Sequence, residues 1–427
     1  MILYKSTLHD SSRQDAILAR LEAHINRVRA TMTLSPDAVI RAVDRLGSRI
    51  AAGEFDPVIA RIADPADVGR IRSLAARLMR RDALEERLRL ELPPEPAQTP
   101  AADGPQSPVR REIRPLGTLF HIAAGNMDAL PAYSLVEGLC AGNFNILKLP
   151  SADSGVTVEI LGELIREEPR IGDFTAVFDT PSTDTDAMRK MASMADGIVV
   201  WGGEEATSAV RRLAPPGVKL IEWGHRLGFA YAAGDPEDRE LAALARHVAE
   251  TKQLLCSSAQ VIYLDTRRMD DLRSFAARFL PFLDAAMDAR PVTDLGALAQ
   301  LSTRRRCREL ADALGEEEPE EVVRGRSSSL ILCRDSALAL SPLWGNVLVK
   351  RLPRENLLPV LRTAKGQLQT AALLCPEEER AALTEVLIRS GVNRVTRAGD
   401  LSTPFPGESH DGEYPLRRYT RIVTVQR

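Results

Sequence analysis

Thr251-Lys-Gln-Leu-Leu-Cys-Ser-Ser-Ala-Gln-Val-Ile-Tyr-Leu-Asp265 joins a helix-like run, Leu241 to Leu255, to a strand-like run, Ala259 to Leu264. The small-residue turn between them holds Cys256. Helix, short turn and strand in succession are the unit from which a parallel sheet with crossover helices is built. A thiol at such a junction can meet backbone N–H donors, which favour thiolate and can hold an oxyanion. Upstream by 34 residues, Glu222 ends the mostly apolar run Val218-Lys-Leu-Ile221 and precedes Trp-Gly. A nucleophile and an acid at two strand ends suggest covalent catalysis on an acyl or carbonyl carbon. The competing reading is that Cys256 is a small buried hydrophobe, the common fate of a junction cysteine, and Glu222 a solvated acid.

The same alternation runs outward from this stretch. Strands are expected at Leu116 to Ile122, Asn145 to Leu149, Thr175 to Phe178, Gly197 to Val200 and Lys219 to Ile221. Helices are expected between them at Leu130 to Leu139, Gly155 to Arg166 and Thr185 to Met194. A second α/β unit follows, with helices near 236–255, 268–289 and 295–314 and strands near 259–264, 328–333 and 346–350. Residues 12–91 read as helices: Ser35-Pro36 is a cap with proline at the first helical position, and Val39, Ile40, Val43, Leu46 and Ile50 recur at helical intervals. The proline-rich run Leu92 to Pro108 reads as a loop or linker. The alternating tail Arg417 to Arg427 reads as a terminal strand, and no internal repeat is visible.

The totals bound the function. The 427 residues suffice for two or three domains, and 44% apolar with 27% charged residues is ordinary for a soluble protein. A net charge of −3 argues against a nucleic-acid partner. The basic segment Arg72, Arg77, Arg80, Arg81, Arg87, Arg89 is interleaved with Asp82, Glu85 and Glu86 and reads as a solvated helix face. Five scattered cysteines without a CxxC pair fit a reducing cytosol and argue against a disulfide framework or a structural zinc site; the six histidines form no metal-ligand cluster. No signal peptide or membrane span is read, which places the chain in the cytoplasm.

Three further blocks can carry chemistry. Arg114-Pro-Leu-Gly-Thr-Leu-Phe-His-Ile-Ala-Ala-Gly-Asn126 is a strand ending in a small-residue turn. The Asn126 amide can donate to a developing oxyanion, or cap the helix near Leu130. In Gly138-Leu-Cys-Ala-Gly-Asn-Phe-Asn-Ile-Leu-Lys-Leu-Pro-Ser151, Gly142-Asn143 suits a helix-ending turn with positive φ. The strand after it delivers Lys148 and Ser151 to its carboxyl end, where open α/β sheets bind cofactors; an ordinary exposed lysine is the alternative. In Gly197-Ile-Val-Val-Trp-Gly-Gly-Glu-Glu-Ala-Thr-Ser-Ala-Val-Arg211, Gly202 and Gly203 lie between strand and helix, as in a phosphate-binding turn, or simply form a structural turn.

Together, Pro115-Leu-Gly117, Asn126, the Gly142-Asn143 to Lys148 strand, Gly202-Gly203, Glu222-Trp-Gly224 and Cys256 resemble the ordered motifs of the aldehyde dehydrogenase superfamily. Ala-Gly-Asn126, Trp-Gly-Gly-Glu204, Cys-Ser-Ser258 and His410-Asp-Gly412 resemble its LuxC-type acyl-CoA reductases, over roughly residues 110 to 427. The resemblance implies an α/β chain with a Rossmann-type cofactor domain at 109–225, joined by helical residues 1–91 across the loop 92–108. A catalytic α/β domain follows at 226–402, and a C-terminal strand at 403–427 that can pair across a homo-oligomer. It implies that Cys256 carries an acyl group and that Asn126 with the Cys256 N–H forms the oxyanion hole. Lys148, Ser151 and the Gly202-Gly203 turn would hold NADPH or NADH, with Ser151 leaning toward NADPH. Glu222 matches the general base, with proton management or thiol tuning as its role in a reductase. The implied partners are an acyl-CoA or acyl-protein substrate and an acyl-protein synthetase. The sequence departs from the superfamily where the usual Glu-Leu-Gly-Gly-Lys reads Glu222-Trp-Gly-His-Arg226, and where Ser341-Pro-Leu-Trp-Gly345 stands in place of Glu-x-Phe-Gly-Pro. Two rival readings stay open: an aldehyde dehydrogenase, CoA-acylating or hydrolytic, working oxidatively, and a partner-dependent acyl-carrying subunit.

Overall fold

The computed structural model of the chain describes residues 1–63, 65–93, 109–123, 130–151, 153–314, 321–405 and 407–426. Its backbone divides into two compact units, Met1–Gly224 with Phe405–Arg427, and His225–Pro404.

The first unit contributes strands β1 (Ile2–Tyr4), β2 (Thr7–His9), β3 (Val109–Pro115), β4 (Thr118–Ile122), β5 (Phe144–Lys148), β6 (Thr175–Phe178), β7 (Gly197–Trp201) and β8 (Lys219–Trp223). Its main sheet has the order β2-β1-β6-β5-β4-β7-β8, with β4 to β8 parallel and β1 and β2 antiparallel at one edge. Strands β4 to β7 are buried along their whole length, as parallel strands covered by helices on both faces must be. The chain runs outward from β4 to β6 and returns to lay β7 on the other side of β4. That reversal opens a crevice at the carboxyl ends of β4 and β7.

The helices Gln14–Thr31 and Pro36–Ala51 bury apolar stripes, Leu18, Leu21, Ile25 and Val28 on one and Val39, Val43, Leu46 and Ile50 on the other, in the core of this unit. Ser35 occupies the N-cap and Pro36 the first turn, but the serine side chain makes no capping hydrogen bond. The N-terminal region is also not purely helical, since β1 and β2 complete the sheet edge. Strands of three residues are too short to show a two-residue period in sequence.

The second unit contributes β9 (Leu227–Ala232), β10 (Ala259–Leu264), β11 (Glu321–Arg324), β12 (Ser329–Cys333), β13 (Asn346–Arg351), β14 (Leu368–Leu374) and β15 (Arg394–Thr396). Their order is β11-β12-β13-β10-β9-β14-β15, parallel except for the β11–β12 pair. Alternate residues feed two separate cores: Ile262 and Leu264 of β10 join Ala230 and Val349 on one face, whereas Val261 and Tyr263 join Phe229 and Leu348 on the other. The final strand, β16 (Thr420–Gln426), belongs to the first unit and pairs antiparallel with β3 over seven residue pairs, Thr420 opposite Pro115 through Gln426 opposite Val109. The helical turn Pro415–Arg418 precedes it, so the strand begins later than the sequence suggests.

Candidate active site

The helix Asp238–Thr251 ends where Lys252 turns left-handed, and Gln253 follows in the same conformation (φ 49° and 63°). The chain then turns through Cys256, which is exposed, and enters β10 at Ala259. The thiol therefore lies at the amino end of its strand. Cys140, Cys333 and Cys375 are buried; burial pushes the Cys140 thiol up to about 12, opposed by the Arg87 charge, so it is a poor nucleophile at neutral pH.

Two buried glutamines hold the cysteine loop. Gln253 Nε2 donates to the Ala259 carbonyl at 3.1 Å and to Ser341 Oγ at 2.9 Å, while its Oε1 accepts from the Gly345 N–H at 3.1 Å. Gln260 Nε2 donates to the Gln253 carbonyl at 2.7 Å, and its Oε1 accepts from Ser341 Oγ, also at 2.7 Å. Trp344 N–H donates to the Lys252 carbonyl at 3.1 Å. The segment Ser341–Gly345, read in sequence as the counterpart of Glu-x-Phe-Gly-Pro, is thus bonded directly to the cysteine loop.

Strain gathers at the same place. Among the described residues, seven non-glycine residues have positive φ, and four of them are Lys252, Gln253, Leu343 and Trp344. Each such conformation costs about 1–3 kcal/mol and persists only where surroundings over-determine it, which the buried glutamine bonds do here. Gly228 at the start of β9 supplies the remaining clearance: a Cβ there would lie 2.6 Å from the Ser257 carbonyl oxygen and 2.8 Å from that of Ser258. Sequence reading missed Gln253, Gln260 and Gly228 as parts of the site. The two glutamines flank Cys256 within the quoted stretch, but sequence alone does not separate a buried amide from a surface one.

In the first unit, Lys148 ends β5 and is buried, with Nζ donating to Ser182 Oγ at 2.9 Å. Burial pushes its ammonium below the ordinary lysine value. A desolvated cation whose partner is a neutral hydroxyl suits an incoming ribose or phosphate oxygen. Ser151 is exposed in the turn beyond it. Gly202 and Gly203 connect β7 to the helix Glu204–Leu213, and a Cβ at Gly203 would meet nothing within 4 Å. A Cβ at Gly202 would lie 2.9 Å from the Ala206 Cβ, and Glu204 and Glu205 in the first helical turn oppose a phosphate directly at the helix end. At the carboxyl edge of this sheet, Lys148 is thus the group whose chemistry could hold a dinucleotide oxygen. Asn126 falls in 124–129, outside the described residues. Gly142 has the expected left-handed φ of 82°, and Asn143 closes the turn by accepting from the Gly117 N–H and donating to the Tyr419 carbonyl.

Glu222 lies on β8 and is a quarter exposed, and its two carboxylate oxygens accept from Arg211 Nε and Nη2 at 2.6 and 2.7 Å. It is not the solvated acid of the simpler reading. Next to it, His410 packs edge-on against Trp201 and Trp223, with ring centroids 5.0 and 4.9 Å away. Arg87 also departs from expectation: instead of facing solvent, it is mostly buried between Glu91 and Glu137 and donates to Tyr133 Oη at 2.6 Å. Among the described residues, no group of three or more His, Cys, Asp or Glu is arranged to hold a metal ion. No described helix is long and apolar enough to cross a membrane.

A parallel sheet that reverses its strand order beside a glycine turn, in one chain with a second α/β unit bearing a cysteine loop, is the fold of the aldehyde dehydrogenases. The chain is similar to an NAD-dependent benzaldehyde dehydrogenase from Corynebacterium glutamicum (TM-score 0.69, 15% identity, covering 97% of this chain and 90% of that one). It is likewise similar to an NADP-dependent glyceraldehyde-3-phosphate dehydrogenase from Bacillus halodurans C-125 complexed with NADP (TM-score 0.71, 15% identity, 98% and 92%). Within that fold the chain belongs to the acyl-CoA reductase (LuxC) family, whose model matches residues 33–422. A curated relative, the long-chain acyl-protein thioester reductase 2 of Photobacterium leiognathi, is 24% identical over 335 residues, 76% of this chain and 67% of that protein. The chain spans about two thirds of the length of the curated relatives it matches.

Proposed function

We propose that the chain reduces a fatty acyl thioester, acyl-CoA or acyl-protein, to the aldehyde through an acyl group carried on Cys256. The observation that supports this most is an exposed thiol on a strained loop locked by buried glutamines, in a chain of the acyl-CoA reductase family. The Cys256 thiolate attacks the thioester carbon, its new C–S bond replaces the donor's, and the donor leaves as a thiol after taking a proton. Asn126 and the Cys256 backbone N–H are assigned to the oxyanion, a contribution of about 3 kcal/mol per donor where such donors act. Lys148, Ser151 and the Gly202-Gly203 turn are assigned to the dinucleotide, which supplies a hydride when bound. Ser151 favours NADPH over NADH, because a serine leaves room and a donor for a 2′-phosphate where an acid would repel it. Expulsion of the Cys256 thiolate then frees the aldehyde. An acyl-protein synthetase as acyl donor, a homo-oligomeric state and a cytoplasmic location complete the reading.

Incubation with a panel of acyl-CoA chain lengths, followed by intact-mass and peptide-mapping mass spectrometry, tests it. One acyl increment on Cys256, absent in Cys256→Ala, is expected. Aldehyde should then form with NADPH faster than with NADH, and faster than the chain oxidises aldehyde with NAD⁺. An adduct elsewhere, or turnover by Cys256→Ala, would sink the covalent route.

A further inference from the structure

The basic segment that stands out in the sequence has no part in the reading above. The structure divides it between two consecutive helices of the first unit, Val68–Leu78 and Arg81–Glu91. Val68–Leu78 repeats apolar residues at helical spacing, yet none of its residues is buried. At about 100° per residue its apolar side has two parts. Ala75, with Met79 just beyond the helix end, packs against the core, and a Cβ at Gly47 would lie 2.8 Å from that of Met79. Ile71, Leu74 and Leu78 fall on a shoulder turned away from that contact: Ile71 and Leu74 are half-buried and Leu78 is 45% exposed. Arg70 and Arg77, both exposed, border the shoulder on its solvent side, with Arg70 bonded to Asp67 at 3.1 Å. Arg72, on the opposite border, bonds Asp56 at 2.6 Å. The helix therefore carries three arginines and no acid, in a chain whose net charge is −3.

Apolar residues left half open in a row and rimmed by charge are how a partner surface is built. The neighbouring helix decides the kind of partner. It presents Asp82 and Glu85 to solvent, paired with Arg80 and Arg81. An anionic bilayer would be repelled by those acids, and the shoulder lacks the tryptophan or phenylalanine with which interfacial helices enter a bilayer. A protein surface can match both signs of charge and an apolar stripe together.

We propose that Ile71, Leu74 and Leu78, with Arg70 and Arg77, form the docking face for an acidic amphipathic helix of the protein that brings the acyl group. The inference rests on the reading above in one respect, that the acyl donor can be a protein. The apolar stripe of the incoming helix covers the three aliphatic side chains, and acids beside it meet the two arginines. The face recognises the carrier and not the acyl chain, so acyl-CoA, which has no helix, makes no use of it.

Direct binding provides the test. Acyl carrier protein, a small acidic helical protein, is loaded with a tetradecanoyl thioester, fluorescently labelled and titrated with the full chain, Cys256→Ala being present throughout to prevent transfer. Arg77→Glu should raise the Kd read by anisotropy about tenfold or more, and Arg77→Lys should stay close to the parent. Added salt should weaken binding to the parent more than to Arg77→Glu. Leu74→Ser should also raise the Kd but keep the parent's salt dependence. Arg77 is exposed, so the far-ultraviolet circular dichroism of Arg77→Glu should match the parent. A parent that does not bind the carrier, or a Kd unchanged in Arg77→Glu, would overturn the proposal. So would binding to phosphatidylglycerol vesicles that Arg77→Glu abolishes while carrier binding persists, since that marks a membrane face. Acylation of Cys256 by tetradecanoyl-CoA in the otherwise unaltered chain is a separate arm, expected to be the same with and without Arg77→Glu. A chain that tetradecanoyl-CoA does not acylate would refute the proposed function, whatever the carrier binding shows.

Discussion

The turn that carries Cys256 is held in place by the residues packed around it. Gly228 is the sharpest case, because a methyl group there would collide with backbone, not with a side chain that can swing away. Gly228→Ala should displace the Ser257–Ser258 backbone by a few tenths of an ångström or more. A misplacement of that order costs about 10- to 100-fold in reaction rate, so acylation of Cys256 measured by quenched-flow mass spectrometry should slow by that factor. Gln253→Leu should strand the Gly345 N–H and remove the donors to the Ala259 carbonyl and the Ser341 hydroxyl, the latter keeping its bond to Gln260. Each buried group left without a partner costs about 1–3 kcal/mol, visible as a lower urea midpoint, whereas Gln253→Glu should keep the bond from Gly345 and lose only the two donated ones. The place of Cys256, in a turn between a helix and a strand, was legible from the small residues of that junction. Gln253 and Gln260 were not, since a buried amide and a surface amide look alike in sequence. Arg211 was equally hidden, because a helix-end arginine reads as a favourable dipole partner until the structure shows which carboxylate it grips.

Secondary-structure elements were more readable than their endpoints. The strands at Thr175–Phe178 and Ala259–Leu264 and the helix Leu295–Leu314 fall where apolar runs and turn residues put them. Strand β9, Leu227-Gly-Phe-Ala-Tyr-Ala232, escaped notice because it starts shortly after β8 and contains a glycine and two alanines of low strand preference. Only the sheet explains that composition: Gly228 clears the cysteine loop, and Ala230 and Ala232 face one packed core while Phe229 and Tyr231 fill the other. The β3–β16 ribbon has a different lesson. Its strands pair with each other inside the chain, and among the described residues the ribbon's two outer edges are unpaired. A two-stranded ribbon is marginal alone, and open edges invite further pairing. Ile422 on β16 is about two-thirds exposed. Homo-oligomerisation through this ribbon predicts that Ile422→Glu lowers the molar mass seen by light scattering without changing the far-ultraviolet circular dichroism; an unchanged mass would place any self-association elsewhere.

At the scale of the whole molecule, each unit buries a histidine whose pKa burial holds down, and this predicts a loss of stability toward acid pH. In the first unit His121 bonds Ser134 and Asn145 within the core, and burial, only partly offset by the Asn145 bond, holds its pKa down at about 4. In the second, His247 on the helix leading to the cysteine loop is held down to about 4 by burial and by the Arg394 charge, and its Nε2 has no hydrogen-bond partner among the described residues. The unfolded chain protonates histidine near 6.5, so above that pH both states are neutral and the full stability is present. As pH falls from about 6.5 to about 4 the unfolded state takes up protons that the folded state refuses, and stability is lost with falling pH; below about 4 both states are protonated and this loss levels off. A shift of this size corresponds to at most about 3 kcal/mol per histidine. His247→Leu removes both the titration and the unpartnered nitrogen. Its urea midpoint should therefore drop less than that of the parent chain between pH 7.5 and pH 5, and the variant should match or exceed the parent at the lower pH. An identical pH dependence in parent and variant would show that the acid sensitivity of the second unit arises from its carboxylates instead.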